Sequence, residues 1–461
     1  MHISCKREIL MTIALTVYLV FLLLIAVRSA RRVKDVPDFF VARKGASAKA
    51  VAGSLVATIL GGSAVIGAVD SGARLGGAAS WFMLVGALGL LALIPFAGCA
   101  YSHGKYALPD LVENLYGKGP RLVASVVIPV AWTGIVAAQI IAAAKLLMTF
   151  TPMGYTTAAI VAAAVFTGYT LAGGQLSILR TDFFQACLII AGLLLVAGFA
   201  LFGVGGPSVG FADSLLSGSS APAFPFSTNF SPFDLFLLVL TYGTTYTAGP
   251  DIFSRMFCAK DVATAKKGIA FAACTLIPVA FVIGFLAVYG AGLGDVSGAR
   301  ITAIADKVLP PFLLPLFALA LLSVVLSSAD TTLLSSSVII CGLFGVEKRS
   351  AGVARARIVI LLNGIVALLL ALVFTDIIGT LLLALAVYAG AFTVPILWGL
   401  LGLRAKPRFV AAAIVAGGAL ALAGKLCPAL PGTLGAHTGD ILMVAAFAVN
   451  AIILAFGRVS K

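Results

Sequence analysis

The sequence predicts an all-α polytopic membrane protein of about thirteen transmembrane helices, and three observations carry that expectation. The 461-residue chain is 61% apolar and only 10% charged. Its apolar residues fall in repeated runs of about twenty, the length a helix needs to cross a bilayer, and not in the alternating segments of about ten that build a barrel. Every second connecting loop is basic, as the positive-inside rule expects of a helical protein with its N-terminus outside and its C-terminus in the cytoplasm. The net charge of +14 is therefore read as topological, placing the chain in a plasma (inner) membrane and excluding a nucleic-acid partner.

Taken in order, the first span, 8–28, is too long and too basic at its C-terminal flank for an ordinary cleaved signal, so it is kept as a helix. Residues 1–47 thus comprise an extra helix and a basic cytoplasmic loop with Arg28, Arg31, Arg32, Arg43 and Lys44. The second span, 48–72, contains ATILGGSAVIGAVDSG, where Gly61 and Gly62 follow Leu60 and Gly67 comes next. Glycine weakens a helix and permits irregular dihedrals, so the segment reads either as an interrupted helix or as tight packing. Spans 79–101, 121–149, 156–174 and 182–204 complete a first set, 48–204, and an extracellular loop follows at 205–230.

The seventh span, 231–251, runs into LTYGTTYTAGPDIFSRMF, where Gly243 weakens the helix and Pro250 removes a backbone donor near the cytoplasmic end. Spans 268–293, 310–345, 358–375 and 377–402 complete a second set, 231–403, and spans 408–428 and 440–457 occupy 404–461. Each set has five spans, and an odd number turns the second set upside down relative to the first. Interrupted helices opening two inverted halves are the layout of a secondary transporter, with its binding site at the breaks.

Little here suits covalent chemistry. The seven cysteines stand singly, and His2, His103 and His437 lie near loops or termini. There is no zinc-ligand spacing, no nucleophile elbow and no phosphate-cradling loop. Not an enzyme, then, but one stretch demands an explanation: LSSADTTLLSSSVI, 326–339, puts seven hydroxyls and a carboxylate inside an apolar span. On a helix, Val324, Ser327, Ser328, Thr331 and Ser335 share a face. Hydroxyls alone can bond back to their own helix or let neighbours approach closely. Asp330 is different, because an acid at the centre of a membrane helix costs about 2.5 to 3.5 kcal/mol on insertion scales and marks a cavity, partner or ion path. An oxygen-rich surface of this kind suits a hard cation such as sodium.

At this point the sequence resembles the sodium:solute symporter family over nearly its whole length. The resemblance rests on DFFVARKG (38–45), ATILGGSAVIG, AAQIIAAAKLL (137–147), AGGQLSILRTDFFQA (172–186), GPDIFSRMF and SVVLSSADTTLL (323–334), in order and at matching spacing. It implies a LeuT-like core of five plus five helices with one helix before and two after, and sodium as the coupling ion. Its sodium ligands would be the carbonyls of Ala57, Leu60 and Val324 with the hydroxyls of Ser327 and Ser328. A second sodium site, present in some members, would use Asp182, Ser327, Asp330 and Thr331. Asp182 can equally be read as a helix N-cap or a partner of Arg180.

For the solute, the resemblance to proline carriers puts Tyr242, Tyr246 and Pro250 on the sixth core helix. Ile59, however, stands where those carriers have an acid, and Ala64 with no amide between 377 and 402 argues against a sugar. Trp132, Gln139 and Tyr388 are further cavity candidates; the Gln139 amide must face either a neighbouring helix or the solute. Pro250 and Arg255 are gating candidates, with Arg255 read either as an ordinary positive-inside charge or as half of an inner-gate ion pair. Lys145 is expected to snorkel outward, and Asp110 and Glu113 to sit on a short cytoplasmic helix. The expected function is sodium-coupled symport of a small polar organic solute, an amino acid or small carboxylate, by a protein whose other partner is the lipid bilayer. The alternatives are a proton-coupled carrier using Asp330 or Asp182, and a solute sensor, which a chain ending directly after its last span disfavours.

Overall fold

A computed structural model describes residues 2–202, 224–294, 296, 298–346, 351–374, 377–426 and 438–459. Most of the expected loop 205–230, the basic pair Lys348 and Arg349, Cys427, His437 and the last residues of spans 182–204 and 408–428 lie outside them. Among the described residues all extended secondary structure is helical, and ten helices are long and apolar enough to cross a membrane, or eleven if one bent pair is a single span. Each departure from the expected thirteen has a local cause.

Helix α1 (His2–Ala30) precedes the core. Helix α2 (Ala48–Ile59) is capped by Ser47, whose side chain accepts from the Ala50 amide. It stops at Leu60 (φ −74°, ψ 48°), and the chain resumes in a wide π turn, Ser63–Gly67. The two arms meet at 57°. Glycines at 61 and 62 make that break cheap, because neither has the side-chain packing that would hold a continuous helix. Helix α3 (Trp81–Leu93) ends earlier than the span 79–101, a turn separating it from the short helix Ala97–His103.

Helix α4 (Lys118–Phe150) is continuous. The expected spans 156–174 and 182–204 are two helices that meet at a kink of non-helical backbone at Gly174 (φ 54°, ψ −147°), labelled together as α5 (Tyr155–Phe202). A Cβ there would lie 2.7 Å from the Phe39 carbonyl oxygen, so glycine is required twice over, by dihedral and by space. The seventh span is the most broken. A helical start (Pro232–Leu238) passes through a π turn (Val239–Gly243) into α6 (Thr244–Ala248), and extended Gly249 (φ −72°, ψ 137°) separates it from α7 (Pro250–Cys258). The interruption expected at Pro250 falls immediately before it, at Gly249, in the extended conformation that a residue preceding proline favours, and Pro250 opens the next helix, where its missing N–H costs nothing.

Helices α8 (Val262–Ala291), α9 (Leu314–Leu343), α10 (Gly352–Val373), α11 (Ile377–Leu400), α12 (Pro407–Leu426) and α13 (Thr438–Phe456) follow. The hydroxyl-rich α9 is the central one: 89% of its apolar window is buried, against 28% for α1 and α13. It packs against α4, α5, α2 and α10. A helix with this much polarity can be central because its hydroxyls find partners, on their own helix as Thr332 does with the Ser328 carbonyl or across to α2 as Ser328 does with the Thr58 carbonyl.

Candidate functional site

The site grows from the break in α2. Where a helix stops, the carbonyls of its last turn lose the amides that would have met them. On the facing side of α9, Ser327 Oγ donates to the Ala57 carbonyl at 2.9 Å and Ser328 Oγ donates to the Thr58 carbonyl at 2.8 Å. Val324 O lies 3.4 Å from Ser327 Oγ. Ala57, Leu60 and Ser327 are fully buried, and a Cβ at Gly61 would come within 2.5 Å of Ser328 Oγ. Ala57, Val324, Ser327 and Ser328 therefore meet, with Leu60 beside them at the break. Thr58, absent from the sequence-derived set, supplies the second carbonyl; its signal was its position one residue after Ala57. The cluster offers only neutral oxygens, the donor set of a hard cation.

Below it lies a charged cluster. Asp182 Oδ2 accepts from Ser54 Oγ and stands 3.8 Å from Arg255 Nη2. The guanidinium also donates from Nε to Ser54 (3.2 Å), from Nη1 to Ser254 (2.8 Å) and from Nη2 to Thr331. Thr331 in turn donates to Asp330 Oδ1 at 3.4 Å. Asp182, Arg255, Asp330 and Thr331 have no exposed surface. Two readings are corrected here. Arg255 is not a loop charge held by the positive-inside rule; short α7 carries it inward from the break at Gly249. Asp182 is neither an N-cap nor the partner of Arg180, because it lies about two turns beyond the Gly174 kink, inside the second half of α5, and Arg180 donates to Ser29 instead (3.3 Å). Ser327 bonds to the Ala57 carbonyl and to its own helix, so of the second expected set only Asp182, Asp330 and Thr331 are brought together by the guanidinium. Among the described residues Asp182 Oδ1 and Asp330 Oδ2 have no hydrogen-bond partner.

Beside the ion bridge a cavity of about 60 Å³ opens, bordered by Thr58, Trp132, Gln139, Tyr242, Tyr246 and Asp251, with Ser328 from the bridge itself. The Tyr242 and Tyr246 rings meet edge to face at 5.2 Å. Tyr388 departs from expectation: it is not among the lining residues, lies edge-on behind Trp132 at 4.5 Å, and donates to the Ala248 carbonyl that the break at Gly249 frees. Asp251 was missed by the sequence reading, although its place directly after Pro250 put it at the break. Pro250 borders a separate small pocket with Gln175 and Ser335. Lys145 is exposed on α4, and Asp110 and Glu113 share a nine-residue helix where both pair with Arg121, Asp110 at 3.6 Å.

Residues 39–412 match the sequence model of the Sodium:solute symporter family. Curated relatives include a sodium/proline symporter of Haemophilus influenzae, 26% identical over 274 residues that cover 55% of this chain and 53% of that protein. A sodium/proline symporter of Escherichia coli is 28% identical over 221 residues, covering 44% and 42%. A sodium/glucose cotransporter of Vibrio parahaemolyticus is 25% identical over 311 residues, covering 60% and 56%. The chain thus spans about half the length of the curated relatives it matches. Among solved structures, a substrate-bound outward-open Na+-coupled sialic acid symporter superimposes with a TM-score of 0.80 at 20% identity, covering 98% of this chain and 99% of that one. A nucleobase-cation-symport-1 family transporter in a closed conformation gives 0.56 at 16% identity, covering 91% and 94%. At these identities the likeness shows a common fold.

Proposed function

The chain belongs to the sodium:solute symporter family, and from that premise we propose that it is a secondary active transporter, carrying sodium and a small polar organic solute into the cell together by alternating access. The observation that carries this reading is the meeting of Ser327 and Ser328 with the carbonyls of the broken α2. A sodium ion drawn to those oxygens, with Leu60 and Val324 adding theirs, ties α2 to α9 in the outward-facing form. Its loss to the cytoplasm releases the tie and the solute. One charge crossing 100 mV is worth about 2.3 kcal/mol and a tenfold sodium gradient about 1.4 kcal/mol, enough together for an accumulation of several hundredfold.

The proposed setting is a plasma (inner) membrane, with the N-terminus outside and the two sets of five helices, 48–204 and 231–403, rocking against each other. Arg255 and Pro250 form the inner end of the pathway. The solute class is an amino acid or small carboxylate. Replacing both Ser327→Ala and Ser328→Ala is expected to abolish sodium-dependent uptake while membrane insertion persists; an unchanged sodium affinity in the double variant removes the assignment.

The unpartnered oxygens of Asp182 and Asp330 support a further cation at the charged cluster, a second sodium ion or, on the alternative reading of a proton-coupled carrier, a proton. Asp182→Asn is expected to lower the charge moved per solute. A ratio identical to the parent protein's shows that no second ion travels through this cluster, and uptake that follows pH in sodium-free buffer favours the proton.

A further inference from the structure

We infer that the cavity recognises its solute through a protonated amine, with Asp251 and Gln139 as the groups that read it, so that amino compounds are carried and carboxylates lacking an amine are not. The inference rests on the symport reading above and narrows it.

Four observations support it. Asp251 is the one charged side chain among the described lining residues; neither lysine nor arginine lines the cavity. In α7 Asp251 is the one residue that is only partly buried, and it lines the cavity beside the break. It stands at the second position of α7, beside the helix's first unpaired amides, and the cavity opens next to it. A carboxylate on a largely apolar cavity wall attracts a cation and repels an anion.

Gln139 Oε1 is the second. The side chain is only 3% exposed and this oxygen has no hydrogen-bond partner among the described residues, so an acceptor is held ready for a donor. It sits at the α2 break, 3.3 Å from where a Cβ on Gly62 would stand. The third is aromatic: Tyr242, Tyr246 and Trp132 border the same space, and ring faces attract ammonium groups.

The fourth concerns the other end of the solute. Trp132 Nε1, on a side chain 2% exposed, is a buried donor without an acceptor. It is matched by an oxygen on the solute. Thr58 and Ser328 belong both to the cavity lining and to the ion bridge, so a carboxylate on the solute has the sodium side of the cavity while the amine has Asp251. The unpartnered atoms together describe a small zwitterion, and Asp251 supplies the negative charge that Ile59 does not.

The test is a thermal-shift and uptake-competition series on the full-length protein, in detergent and in proteoliposomes, using paired probes: L-proline against cyclopentanecarboxylate, L-leucine against 4-methylpentanoate, L-alanine against propionate. At least one amine-bearing member is expected to stabilise the protein in sodium, at a concentration at least tenfold below its amine-free twin. Asp251→Asn should erase that preference and Asp251→Glu should restore part of it; the paired probes decide the matter on the parent protein even if the variants misfold. Amine-free acids that bind as well as their twins overturn the inference. So does a protein stabilised by sodium alone that answers to none of the amines, and that result leaves the sodium reading standing. Absence of any sodium effect, with or without probes, instead removes the symport reading on which the inference rests.

Discussion

Gly61→Ala gives the sharpest perturbation of the ion bridge, because it adds one carbon at a place where the distances fix the consequence. The new Cβ would stand 2.5 Å from Ser328 Oγ and 3.2 Å from Ser328 Cβ. Relief requires Ser328 to turn away by about an ångström, and its 2.8 Å bond to the Thr58 carbonyl cannot survive that movement. A buried carbonyl left without a donor costs about 1 to 3 kcal/mol. No helix gain offsets it, since Gly61 stands in the break and outside the helix. If Ser328 is an ion ligand, the same displacement falls on sodium binding, and about 1.4 to 2.8 kcal/mol translates into a 10- to 100-fold higher sodium concentration for half-maximal uptake. Gly168→Ala is the internal control: no atom lies within 4 Å of its new methyl group, and it sits on an exposed face of α5. There the sodium curve is expected to stay put and the melting temperature to hold or rise, because alanine is the better helix former by about 1 kcal/mol. The assay is initial uptake rate against external sodium in proteoliposomes, with melting curves alongside. A Gly61→Ala protein that folds normally and keeps the parent's sodium dependence refutes the reasoning.

Removing the buried guanidinium should be costly. Arg255→Gln leaves Asp182 buried with only Ser54 as its partner, and the loss of one member of a buried pair destabilises by about 3 to 5 kcal/mol, read as a marked fall in melting temperature and in membrane yield. Arg255→Lys should recover little of it, because three separate nitrogens of the fork reach Ser54, Ser254 and Thr331; a lysine variant as stable as the parent shows that charge alone suffices. Gly72→Ala places a methyl 2.1 Å from the Ala287 carbonyl oxygen on α8, a backbone-to-backbone contact that no rotamer relieves. A loss of about 3 kcal/mol is expected, and a melting temperature within a degree of the parent's contradicts the packing described.

The helices were legible because their signals are local. Apolar runs of membrane length, basic alternate loops and the Gly61–Gly62 pair are written in neighbouring residues, and so is the hydroxyl face of α9, which follows from helical period alone. Helical period alone put Val324, Ser327 and Ser328 on one face, whereas adding Ala57 and Leu60 to them came from the resemblance to the symporter family.

What only the tertiary structure decided depends on how helices cross and rotate against one another, which no local pattern encodes. Arg255 reads as a loop charge until α7 is seen to turn inward and carry it between α2, α5 and α9. Asp182 reads as a cap until α5 is seen to continue through it, with Gly174 bending where Phe39 presses close. Tyr388 shares the face expected for solute, yet Trp132 stands in front of it and its hydroxyl is taken by the carbonyl freed at Gly249. Asp251 gains its place at the cavity from the break at Gly249, which turns the start of α7 toward it. The sequence by itself determined which segments are helices and where two of them yield. The packing decided which polar groups those breaks bring face to face, because a buried charge is defined by the partners around it and those partners come from distant parts of the chain.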